Sequence, residues 1–114
     1  MSAALESNKR ENCMVISFKG RLIEESQRKA MLHQMKELIV DPNDRFLIDM
    51  SEVEHMNSTG ITLLVQVVNE IKQHKGRLVF TSVPKNVHEL LDIIKLNAVL
   101  AIRPTVDEGI EYLN

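Results

Sequence analysis

Two periods of apolar residues run through this chain and divide it into helices and strands. Between residues 24 and 40, Met31, Leu32, Met35, Leu38 and Ile39 recur at the three- and four-residue spacing of a helix face. Asp41-Pro42-Asn43-Asp44 then ends that helix with turn chemistry. A second helix follows Ser58, with Ile61, Leu64, Val65, Val68 and Ile71 on one side, and Gly76 fits the residue just past its end. Pro84 opens a third, carrying Val87, Leu90, Leu91 and Ile94, because proline in a first helical turn forfeits no hydrogen bond. Thr105 caps a fourth through the spacing Thr105-x-x-Glu108, with Val106, Ile110 and Leu113 facing inward.

Short apolar runs separate these helices. Residues 14–18, 45–50, 77–81 and 98–102 read as strands, too short for buried helices. Lys19-Gly20 closes the first run as a turn, and a polar connection follows the second after Asp49. Residues 3–10 have poor strand propensity but are placed to pair with the next strand through the polar Glu11-Asn12. The order is β(β)αβαβαβα, and the unit from 45 to 81 has the length of a right-handed parallel crossover. The predicted fold class is therefore α/β: a mixed four- to five-stranded sheet, parallel in its centre, packed with about four amphipathic helices. At 114 residues, the chain is expected to form one domain over 1–114.

Composition narrows the function by exclusion. The net charge of −2 leaves no basic footprint, and three Phe and one Tyr are few for stacking bases, so nucleic acid is not an expected partner. No segment approaches the ~20 apolar residues of a membrane span, and the N-terminal residues lack a signal-peptide core. The expected location is the cytoplasm. Cys13, the single cysteine, lies in a strand without a close cation and reads as a small buried hydrophobe.

Candidate chemistry collects at one join. Asn57-Ser58-Thr59-Gly60 opens the second helix, whose first turn leaves about four N–H groups unpaired and roughly half a positive charge. Ser58 has the chemistry of an N-cap, worth ~1 kcal/mol, but Asn57 and Thr59 are alternative caps that would leave its hydroxyl available. The histidines at 33, 55, 74 and 88 show no ligand spacing, so no metal is expected. His55 stands three residues before Ser58 without a third group to complete a triad. The glycines at 20, 60, 76 and 109 form no phosphate cradle, and no cofactor is expected.

The segment Leu47-Ile48-Asp49-Met50-Ser51-x-Val53-x-x-Met56-Asn57-Ser58-Thr59-Gly60-Ile61-x-x-Leu64 resembles the signature of STAS domains, above all bacterial anti-sigma factor antagonists. Their usual form is D-L-S-x-V-x-x-M-D-S-[ST]-G-[LI]. The likeness extends over nearly the whole chain, through the glycine after the second strand and the final Arg-Pro-Thr-Val-Asp-Glu-Gly. It implies a non-enzymatic, partner-switching protein of transcriptional signal transduction. The implied partners are an anti-sigma factor with serine kinase activity and a Ser phosphatase. Ser58 maps onto the phosphoacceptor. The implied docking surface comprises Gly20, Arg21, Leu22, Ile23, Glu24 and Glu25, then Met56, Asn57, Ser58, Thr59 and Gly60, with Thr81 and Ser82 at a neighbouring strand end.

The chain departs from the pattern twice. Asn57 stands where the acid before the phosphoacceptor is usual, and Gly20-Arg21-Leu22-Ile23 lacks the aspartate of G-x-[LI]-D, with Glu24 and Glu25 following. These departures set a STAS binding module that is not phosphorylated beside the switch. Because some STAS domains serve transporter assemblies, the resemblance also implies the alternative of a STAS subunit of a membrane transporter assembly of the lipid-trafficking ABC type. The sequence does not set the oligomeric state.

Overall fold

The computed structural model describes residues 3–114. Two strands open the chain, β1 (Ala4–Arg10) and β2 (Cys13–Leu22), followed by α1 (Glu25–Leu38), β3 (Arg45–Met56), α2 (Ser58–Gln73) and β4 (Arg77–Thr81). Helix α3 (Lys85–Ile93), a 3-10 turn at Leu96–Ala98, β5 (Ile102–Arg103) and α4 (Val106–Leu113) complete it. The five strands lie side by side in chain order. Strand β1 is antiparallel to β2, and every later pair is parallel. The mixed sheet with a parallel centre and four helices is the expected class.

Because strand order never reverses among the parallel strands, right-handed crossovers put their helices on one side. Met31 and Met35 of α1, Leu63, Leu64, Val67 and Ile71 of α2, and Val87 and Leu91 of α3 share one core with Ile16, Phe18, Phe46, Ile48 and Phe80. Helix α4 takes the opposite face, where Ile110 and Leu113 join Cys13, Val15, Leu47 and Val79. Cys13 is buried, and burial raises its thiol pKa, consistent with an inert core residue. Thr105 caps α4 as expected, its hydroxyl accepting from the Glu108 N–H at 3.1 Å.

Several boundaries differ from the sequence reading. Gly20 makes no turn: β2 continues to Leu22, and Gly20 (φ 84°) sits at a register shift inside the strand, a left-handed conformation suited to glycine. Strand β3 likewise continues past residue 50 to Met56, where the sequence suggested a polar connection. Its partners explain why: Ser17 pairs with Asp49 but Lys19 with Glu52, and Gly20 with Val53 but Arg21 with His55. Each shift adds a residue to β3, so its buried Met50, Val53 and Met56 fall three apart and lose the strand period.

At the end of α2 the left-handed residue is Lys75 (φ 62°), one position before Gly76. The Gly76 N–H bonds the Ile71 carbonyl at 2.8 Å, and the Lys75 N–H bonds that of Lys72 at 2.9 Å, the two bonds of a Schellman motif. Pro84 occupies the N-cap position of α3 in an extended conformation and precedes the first helical residue. The strand expected over 98–102 reduces to Ile102–Arg103, since the 3-10 turn takes Leu96–Ala98 and leaves Val99 68% exposed.

Candidate surface at the start of helix α2

Helix α2 begins where β3 ends, and its cap is Asn57. The Asn57 Oδ1 accepts from the Thr59 N–H at 2.9 Å, with the Asn57 backbone extended. Ser58 is therefore the first helical residue and is exposed, its capping duty taken by its neighbour. Among the described residues no hydrogen bond engages the Ser58 hydroxyl, whereas its carbonyl accepts from Thr62 Oγ1 at 2.9 Å. No acidic residue lies in the first turn of α2. A hydroxyl thus stands on a positive helix end whose own segment supplies no counter-charge.

The connection from β2 to α1 closes over this start. Gly60 makes the approach feasible: a Cβ there would lie 2.7 Å from the Leu22 carbonyl oxygen and 2.4 Å from Met56 Cγ, contacts no side chain tolerates unshifted. Asn57 Nδ2 donates to the Ile23 carbonyl at 3.4 Å. Glu25, at the start of α1, is gripped by Arg28 through Nε at 3.0 Å and Nη2 at 2.8 Å. Arg28 also donates to Gln66 Oε1 of α2 at 2.7 Å, tying the two helices together. The guanidinium holds the Glu25 carboxyl below its usual range, and the Thr59 hydroxyl adds a smaller lowering. The cavity beneath, lined in part by Leu22, Met31, Gly60 and Leu63, is about 10 Å³, no larger than a single water site. The arrangement is a closed surface rather than a ligand pocket.

Residues 20–25 and 56–60 are thus brought together. Within them, Gly20, Leu22, Met56 and Gly60 are buried and shape the surface, while Arg21, Glu24, Glu25, Asn57 and Ser58 are exposed on it. Ile23 and Thr59 are half-buried between the two sets. Thr81 does not belong here: it is fully buried, with no hydrogen-bond partner for its hydroxyl, so it offers nothing to a partner. Strand pairing explains the correction, since Thr81 pairs with Asp49, seven residues and roughly 20 Å of strand before Met56. Ser82, half-buried, follows it at that distant end.

Two residues of the surface escape sequence reasoning. Arg28 was legible in principle, because Glu25 and Arg28 stand at helix-neighbour spacing. Asn86 of α3, whose Nδ2 donates to the Glu54 carbonyl at 3.4 Å, ties α3 to β3 just before that surface and carries no such signal. Among the described residues no cluster of three His, Cys, Asp or Glu is arranged to hold a metal. No helix among them is long and apolar enough to cross a membrane.

The profile of the STAS domain matches residues 4–109. The chain belongs to the STAS family. Among solved structures, this STAS domain is similar to an anti-sigma factor antagonist from Mycobacterium paratuberculosis, at a TM-score of 0.82 and 18% identity, covering 98% of this chain and 94% of that one. It is similar to the Bacillus cell fate determinant SpoIIAA in its phosphorylated form, at a TM-score of 0.72 and 15% identity, covering 97% and 100%. It is also similar to a sulfate transporter family protein from Wolinella succinogenes, at a TM-score of 0.69 and 14% identity, covering 87% and 82%. At these identities the likeness establishes the STAS fold. No curated protein matches the sequence.

Proposed function

We propose that this STAS domain is a single-domain anti-sigma factor antagonist of the bacterial cytoplasm, a non-enzymatic module that docks on an anti-sigma serine kinase. The contact surface is the start of α2 with the β2–α1 connection folded onto it. The kinase phosphorylates Ser58, and a Ser phosphatase restores the hydroxyl. One observation carries this reading: Asn57 caps α2, so the Ser58 hydroxyl is exposed and unengaged on a helix end without an acid of its own. The solved structure of phosphorylated SpoIIAA, with the same fold, supports it by analogy.

Physically the switch is electrostatic. The unmodified surface presents hydroxyls and a positive helix end, with Glu25 neutralised by Arg28. A phosphoryl group adds roughly −1.5 to −2 charges at a surface that must be desolvated for docking. The test is titration of the purified chain against its cognate anti-sigma kinase. Wild type and S58A both bind, and only wild type is released after incubation with ATP. Failure of both to bind, with a kinase that still binds its sigma factor, overturns the reading. The likeness to a sulfate transporter family protein supports a second reading as a transporter subunit. Co-purification with a permease instead of a kinase separates the two.

A further inference from the structure

The two segments of this surface are 34 residues apart, yet two contacts seat one on the other: the close approach of Leu22 to Gly60 and the Asn57–Ile23 hydrogen bond. Asn57 alone works in both directions. Its oxygen accepts from the first turn of α2 while its nitrogen donates to the β2–α1 connection. The geometry points to Asn57 as a latch that fixes the Ile23–Glu24 connection against α2, and so as a positioning residue for partner docking.

The inference rests on the proposed function for its consequence in binding but not for the latch itself. A carboxylate in the same place, the usual family residue, still caps the helix. It has no hydrogen to offer the Ile23 carbonyl and would set two acceptors face to face. Glu24, the N-cap residue of α1, makes no side-chain cap bond that would hold the connection in its place. In this chain the missing acid is thereby exchanged for a second hydrogen bond.

The test compares wild type with N57D and N57S. Both variants keep a capping oxygen, so α2 remains folded; N57D adds charge and removes the donor, whereas N57S adds no charge and replaces the amide with one shorter hydroxyl that, held at the cap, does not also span to the Ile23 carbonyl. Backbone ¹⁵N relaxation is measured at residues 21–25. The latch predicts order parameters near 0.85 in wild type falling toward 0.6 in both variants. Wild-type-like order in N57S overturns it, showing that any effect of N57D comes from its charge. Kinase affinity is measured in parallel, with about a three- to tenfold loss expected in both, the worth of one hydrogen bond. Loosened variants alongside a wild type that binds no kinase leave the latch standing and remove the proposed function instead.

Discussion

The starts of α2 and α4 are built from the same parts and finished differently. Each is capped by a side-chain oxygen, Asn57 accepting from the Thr59 N–H and Thr105 from that of Glu108. Helix α4 then supplies its own counter-charge: Asp107 and Glu108 lie in its first turn, and Asp107 also meets Arg10 at 3.3 Å. Helix α2 has no acid in its first turn, and Glu25 at the start of the neighbouring α1 is engaged by Arg28. A helix start that serves only the fold can answer its dipole locally. The start of α2 leaves that answer incomplete on an exposed hydroxyl, which suits a site whose charge is meant to change.

The largest expected effect comes from giving α2 the acid that α4 already has. S58D should weaken kinase binding by about a hundredfold, or ~2.7 kcal/mol, measured by titration calorimetry. The same variant should be as stable as wild type or more so by about 0.3–1 kcal/mol, because an acid favours a helix N-terminus. Removing an acid at the other start, D107N, should leave kinase affinity unchanged. Equal losses in the two variants would erase the distinction between the helix ends.

Next in size is the seating of the β2–α1 backbone on Gly60 of α2, where the matching glycine of α4, Gly109, faces the side chains of Thr81 and Leu47 instead. G60A drives a Cβ toward the Leu22 carbonyl oxygen. Overpacking of this kind costs about 1–3 kcal/mol, of which alanine's helix propensity returns about 1. The melting temperature should fall by several degrees. An unchanged melting temperature would show that the connection yields freely.

The smallest effect concerns the Glu25 carboxylate. Arg28 lowers the folded-state pKa of Glu25 from 4.5, so the pair stabilises the protein above that pH. The contribution disappears as pH falls through the lower folded value. Melting curves of wild type and E25Q should therefore differ at neutral pH and converge in acid. A difference that grows with acid would reverse the assigned sign.

Much of this architecture is written in local spacing. The four helices lie where their three- and four-residue repeats put them, although the buried side of α2 runs through Leu63, Leu64, Val67 and Ile71 and leaves the expected Val65 exposed, as α3 leaves Ile94. The motif Asn57-Ser58-Thr59-Gly60 marks the site directly. What the sequence hides is set by distant partners. Strand β3 loses its period at two register shifts against β2, and the run ending at Ile102 gives way to a 3-10 turn that leaves Val99 exposed. Thr81 looked like a free strand end, yet lies buried far from α2. The Asn57–Ile23 contact joins residues 34 apart, and residue type alone does not announce such a pair. Only the Glu25–Arg28 half of the network follows from local spacing.

The central claim is that Ser58 is the residue whose charge changes. Its most direct test is incubation of the intact chain with its anti-sigma kinase and ATP, followed by peptide mass spectrometry. The expected result is one phosphoryl group, on Ser58, absent from S58A and removed by the phosphatase. An unmodified Ser58 beside a kinase that binds this chain and phosphorylates another substrate would contradict it.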